Sequence, residues 1–262
     1  MRRDRGFALL IVLWSVALLA LLATGITAAG RTDVQLAANL RGAAVAEAAA
    51  DGAVFEAVFH LLDPARPWPA DGAPREVSVP GARIVLRIVD EAGKINPNNA
   101  SPELLQALLR RVGADAQTSE RAAAAIIDWR FPGEAPRLNG AKAPQYRAAG
   151  RDYGPPGASF QSLDELGAVL GMTPELLARL MPHLSILTDA EPDPQRADEV
   201  VRQALRDVLG PPRAASGAPA PPRTVTVTAD AETGGGSRFT RRAALRLGAT
   251  EKEPMVRVLA WD

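Results

Sequence analysis

Hydrophobic positions along the chain follow three successive patterns. The first is continuous: Phe7 to Gly30 is a run of 24 residues with no charge and mostly apolar side chains. As a helix it would be about 36 Å long, enough to cross a hydrocarbon core of about 30 Å. No proline interrupts the chain until Pro64, and Leu36, Leu40 and Ala44 recur at every fourth position. Phe55, Val58, Phe59 and Leu62 then repeat the i, i+3, i+4, i+7 spacing of one helix face. This predicts one helix from about Phe7 to Leu62, roughly 80 Å long, lying on a soluble domain through its second half.

The second pattern is alternating. Glu76–Val79 and Ala82–Asp90 read as two strands joined by the turn Pro80-Gly81, with Ile84, Leu86 and Ile88 alternating against Arg83, Val85 and Arg87. Three further candidates, Arg223–Asp230, Ser237–Leu247 and Pro254–Trp261, close the chain. In the middle one Phe239, Ala243, Leu245 and Leu247 form the apolar set. Between the two groups of strands the period becomes helical. Ser101-Pro-Glu caps a helix whose face is Leu104, Leu105, Leu108, Leu109 and Val112. A second helix is expected over Ser119–Trp129, and residues 130–161 read mostly as loop. The capping box Ser162-Leu-Asp-Glu165 opens a third helix, Thr173-Pro-Glu a fourth, and Arg196–Leu209 is a charged fifth. Strands on both sides of a helical block indicate a block inserted into one antiparallel sheet, with the long helix packed on that sheet.

The fold class is therefore α+β: a long N-terminal transmembrane and amphipathic helix on an antiparallel sheet, with an inserted all-helical domain of helix-hairpin-helix-like or SAM-like type. The expected division is 1–6 leader, 7–30 membrane helix, 31–93 second helix half and first strands, 94–183 inserted domain, and 184–262 remaining strands. Gly210–Pro222 reads as a Pro/Ala/Gly-rich linker.

Composition removes several functions. The chain of 262 residues carries 30 Lys+Arg, 30 Asp+Glu, two His and no Cys. A disulfide framework, a thiol nucleophile and a His-rich metal centre are excluded. Zero net charge argues against a protein that neutralises a phosphate backbone. His60 lies on the long helix and His183 at a helix end, so neither belongs to a catalytic set; no phosphate loop or dinucleotide fingerprint occurs. The expectation is a non-enzyme. Charge also orients the anchor. Arg2, Arg3 and Arg5 precede the apolar run, whereas Arg31 and Asp33 balance after it. Residues 1–6 are thus expected on the cytoplasmic side and 31–262 across the inner membrane.

The junction Arg5-Gly6-Phe7-Ala8-Leu9-Leu10 resembles the processing site of type IV prepilins and pseudopilins. The resemblance implies cleavage between Gly6 and Phe7 by a prepilin peptidase and methylation of Phe7. Most members carry Glu at the fifth mature position, where it pairs with a neighbour's terminal amine; here that position is Ile11. Asp90-Glu-Ala-Gly-Lys-Ile-Asn-Pro-Asn98, Ile126-Ile-Asp-Trp129 and Ser162-Leu-Asp-Glu-Leu-Gly-Ala-Val-Leu-Gly-Met-Thr-Pro-Glu-Leu176 are similar to the helical insertion of general secretion pathway protein K, the minor pseudopilin of type II secretion. That family implies a non-catalytic subunit at the pseudopilus tip. Its implied partners are the I and J minor pseudopilins, the major pseudopilin, the inner-membrane secretion platform and the prepilin peptidase. Its loop between the second and third inserted helices can bind calcium. Here the acids are Asp128, Glu134 and Asp152, interspersed with Arg130, Arg137, Lys142, Arg147 and Arg151, a poor cage for an ion wanting six to eight oxygens. No cofactor is expected, with calcium on those three acids as the alternative. A membrane-anchored helix-hairpin-helix DNA-binding protein is the alternative function. Against it, the hairpin turn at Gly167–Leu177 has no basic residue and carries Glu175.

Overall fold

The computed structural model describes residues 4–210, 223–248 and 254–262, and the side chains of 4–6, 8 and 23–32 lie outside that description. The elements are α1 (Asp4–Leu62), β1 (Arg75–Val79), β2 (Ala82–Asp90), α2 (Pro102–Arg111), α3 (Ala116–Arg130), α4 (Ala143–Ala148), α5 (Pro174–Leu180), α6 (Glu199–Leu209), β3 (Arg223–Thr233), β4 (Arg238–Leu247) and β5 (Val256–Trp261). The strands form one five-stranded antiparallel sheet in the order β1-β2-β3-β4-β5. Met1–Arg3 and most of the expected linker at 210–222 fall outside the described residues.

The chain divides by packing into two units. The first comprises residues 1–59, 74–86 and 229–241. Its α1 is a single uninterrupted helix, as the absence of proline permits. The helix begins at Asp4, inside the expected leader, and continues through Gly6 and Phe7. Phe7, Leu9, Ile11, Trp14, Leu18 and Leu22 are all exposed. Among the described residues no helix is long and apolar enough to cross a membrane. The uncharged run Phe7–Gly30 includes positions whose side chains are outside the description.

The buried face of α1 differs from the expected one. Ala46, Ala50, Ala53, Val54 and Ala57 are buried, whereas Leu36, Leu40, Phe55 and Phe59 are exposed. The physical reason is close approach: alanines let the helix backbone come down onto neighbouring strands. At Gly42 a Cβ would run into the Ser237 hydroxyl, so that side chain would have to turn away. β1 and β2 make a hairpin with Val77 opposite Ile84, turning through Gly81 at φ +90°.

The second unit comprises 60–73, 87–228 and 242–262. Here α2 packs on α3 and α6 around Leu105, Leu108, Leu109, Ile126, Ile127, Tyr146, Phe160 and Leu166. Val201, Ala204 and Leu205 of α6 belong to the same core. β2 ends at Asp90 and its sheet neighbour β3 starts at Arg223. The insertion therefore extends well beyond residue 183 and includes α6. Its two ends are tied directly: Arg223 Nε donates to Asp90 Oδ2 at 2.8 Å, and Asp90 Oδ1 accepts from the Ala92 amide at 3.0 Å. β4 and β5 pair antiparallel, with an irregularity at Ala244/Leu245.

The capping box at Ser162 is present, but it opens a six-residue 3-10 turn, Leu163–Ala168, instead of an α-helix. Gly167 lies within it and Gly171 follows at φ +90°. Short runs are what 3-10 geometry sustains. The stretch read as loop at 130–161 contains the short α4.

Candidate functional site

No exposed set of nucleophile, base and orienting acid is assembled by the candidate residues. His60 stacks on Trp68 with ring centroids 4.1 Å apart. His183 Nδ1 lies 2.7 Å from Asp198 Oδ2, and Asp198 also caps α6 by accepting the Val201 amide at 3.0 Å. Burial works to raise the Asp198 carboxyl, but His183 and the capping amides outweigh it and hold the group below the ordinary range. Both histidines thus act as struts.

The inserted unit is instead organised by polar side chains turned inward. Asn96, Asn98 and Asn99 lie in the turn after β2. Asn98 pairs with the backbone of buried Phe160 in both directions: its Nδ2 donates to the Phe160 carbonyl at 2.9 Å, and its Oδ1 accepts the Phe160 amide at 2.7 Å. Asn96 Nδ2 donates to Thr188 O at 2.8 Å, and Asn99 Nδ2 to Asp189 O at 2.6 Å. Backbone bonds Ile95 N to His183 O and Ser185 N to Ile95 O, each 3.0 Å, extend the join. The Lys-Ile-Asn-Pro-Asn-Asn stretch closes the insertion on itself, which accounts for the motif without a ligand.

A second polar cluster lies at the C-terminal end of α3. Arg130 donates to the carbonyls of Pro97 (2.5 Å) and Ala100 (2.8 Å), anchoring the asparagine turn. Burial, and secondarily Arg137, lower its pKa. Asp128 is buried, and its Oδ2 accepts the Arg137 amide at 3.1 Å, with Arg137 Nε 3.8 Å from Oδ1. Glu134 and Asp152 are exposed, and among the described residues no group of three or more His, Asp or Glu is placed to hold a metal. Trp129 stacks on Phe160 (5.8 Å, 6° between planes), and the Tyr146 hydroxyl accepts the Leu170 amide at 2.9 Å. Burial pushes the Tyr146 phenol up to about 12.

Comparison with known proteins matches a segment that holds much of this insertion. A family model described as Type II secretion system (T2SS), protein K matches residues 83–189. Over that segment the chain is similar to the protein K family. It is 27% identical over 209 residues to the type II secretion system protein K of Pectobacterium carotovorum subsp. carotovorum, a match covering 71% of this chain and 63% of that protein. The fold is similar to a chain in the crystal structure of the GspK-GspI-GspJ complex from the enterotoxigenic Escherichia coli type 2 secretion system. There the TM-score is 0.60 at 18% identity, covering 88% of this chain and 98% of that one.

The motifs quoted above, at 90–98, 126–129 and 162–176, all fall within the matched residues. The positions read as processing and tip-determining lie elsewhere, on α1. Phe7 is 70% and Ile11 52% exposed, and the Ile11 carbonyl accepts the Ser15 hydroxyl at 2.8 Å. The polar side chains that organise the insertion, Arg130, Lys142 and Asn98, were not readable as site residues. Arg130 and Lys142 sit in a basic, Pro- and Gly-rich stretch that reads as solvated loop, and only their density there hinted at a role.

Proposed function

We propose that the chain is a minor pseudopilin of the type II, or general, secretion pathway. It is a non-catalytic subunit at the pseudopilus tip that helps start the filament for export of folded proteins across the outer membrane. The observation that carries this reading is the protein K domain, inserted in a sheet behind a helix that runs unbroken from Asp4 to Leu62. The helix supplies the charge-free run for the inner membrane, with its short basic end cytoplasmic and the rest periplasmic. A prepilin peptidase cuts at Gly6–Phe7, and Phe7 is methylated. Ile11 supports the tip position: with no acid at this position, nothing in the apolar helix calls for a neighbour's amine above it. The partners are the I and J minor pseudopilins, then the major pseudopilin and the secretion platform. The inward closure of Asn96 and Asn98 favours this reading over a DNA-binding hairpin.

The test has two parts. Mass spectrometry of the protein from cells with active prepilin peptidase should find N-methyl-Phe7 as the first residue; an intact Met1 overturns the pseudopilin reading. Cysteines introduced on exposed positions of the insertion should crosslink to other minor pseudopilins. Abundant self-crosslinks along the filament would remove the tip position.

A further inference from the structure

The loop that follows α3 is built around a buried ammonium group. Lys142 is 4% exposed. Its Nζ donates to the Asp128 carbonyl at 2.5 Å and to the Phe131 carbonyl at 2.6 Å. An α-helix leaves its last carbonyls without intrahelical partners, and a cation there also meets the negative end of the helix dipole. Two neighbouring carbonyls are taken by amides: Ile127 O by Phe131 N at 3.1 Å and Trp129 O by Gly157 N at 3.0 Å. The lysine supplies the partner for Asp128 O and for the carbonyl of the C-cap residue Phe131. The Asp128 carboxylate on the same turn is also buried, and Gly140 passes so close that a Cβ would lie 2.0 Å from Oδ2. Lys142 is itself held at the start of α4, its amide donating to Gln145 Oε1 at 3.0 Å.

Two carbonyl oxygens and a buried carboxylate at a helix end are the ligand chemistry of a hard divalent cation. Here a covalently attached cation already meets both carbonyls, and the remaining acids, Glu134 and Asp152, stay exposed. The residues present therefore do not fit a calcium ion, which would have to displace a buried ammonium and gather ligands the chain does not bring together. We propose that Lys142 is a built-in cation that orders the 131–142 loop in place of a bound divalent metal, making the fold of this insertion independent of calcium. This does not rest on the proposed role at the pseudopilus tip.

The test uses the full chain in detergent, stripped with chelator. Calorimetric titration with calcium chloride should give no binding heat, and the melting midpoint should be the same in chelator and in millimolar calcium. Lys142→Met keeps the aliphatic stem and removes the charge. It should lower the midpoint by roughly 5 °C or more, since two charge-assisted hydrogen bonds are lost. Hydrogen exchange at amides 131–142 should also become faster. A stoichiometric calcium site in the unmutated protein, or a calcium-dependent rise in its midpoint, overturns the proposal, and this arm decides the matter even if the variant fails to fold. A Lys142→Met protein that melts and exchanges like the parent overturns it equally.

Discussion

Replacing Asn98 with alanine tests whether the asparagine turn closes the insertion. The Asn98 amide pairs with Phe160 as one strand residue pairs with another, through bonds of 2.9 and 2.7 Å to the same peptide backbone. Alanine removes both and leaves an amide and a carbonyl beside a buried phenylalanine ring. An unsatisfied buried group costs about 1–3 kcal/mol, and two such groups would approach 6 kcal/mol if no water reached them. Asn98 is only half-buried, so water recovers part of that, and about 2–3 kcal/mol is the expected loss. For a domain of this size that lowers the melting midpoint by about 5–10 °C. Trp129 stacks on the Phe160 ring, so near-ultraviolet circular dichroism of the full chain in detergent reports the same place. Asn98→Asp should be at least as damaging: it keeps the acceptor for the Phe160 amide but turns a second oxygen, with a charge, toward the Phe160 carbonyl. A loss below about 0.5 kcal/mol for Asn98→Ala, within the spread of ordinary surface substitutions, would refute the reasoning.

Two further predictions concern charge. Arg241 is buried on β4, donating to Asp51 Oδ1 at 2.6 Å and Glu47 Oε1 at 3.2 Å on α1, with its guanidinium 4.8 Å from the centre of the Phe239 ring. Arg241→Met should cost about 1–2 kcal/mol in urea denaturation, discounted because both acids reach water, and raising the salt concentration should narrow the difference from the parent. The Asp198 carboxyl is lowered in the folded chain, so the stability it contributes is complete above its unfolded value of about 3.9 and is lost as pH falls through the folded value. Asp198→Asn should therefore flatten the acid limb of the midpoint-versus-pH curve below about pH 4.

The regular elements were largely legible because they follow from spacing and caps. β2 spans Ala82–Asp90 as its alternation indicates, and Ser101 caps α2 by accepting the Leu104 amide at 3.2 Å. Helix α3 starts at Ala116, three residues before the expected Ser119. Its cap is Asp115, whose carboxylate accepts the Thr118 amide, but the first turn holds no large apolar residue to mark the onset. The buried face of α1 was misread for a related reason. Periodicity weights large side chains, so Phe55 and Phe59 outweighed the alanines that actually meet the strands. On β4, Arg241 falls in register with Phe239 and Ala243, and its partners on α1, distant in sequence, account for a charge buried there.

Candidate-site residues were harder to see because their role comes from irregular backbone. A compact unit that routes the stretches around 131–141 and 184–198 against its own core must supply partners for peptide groups that no helix or strand satisfies. Water cannot serve where Phe160, Ile95 and Leu184 exclude it, so long polar side chains reach inward from neighbouring turns. Asn96, Asn98, Arg130 and Lys142 all bond to main-chain carbonyls or amides of residues outside their own element. Composition ranks such residue types as exposed, and periodicity is silent in loops, so neither signal finds them. The readable sign is a mismatch: a stretch too long to be a simple connection, lying between strong helices and rich in Asn, Arg and Lys. Where that mismatch occurs inside a domain, the polar residues are better assigned to the backbone than to solvent. That assignment distinguishes an insertion held by its own side chains from one that waits for an ion.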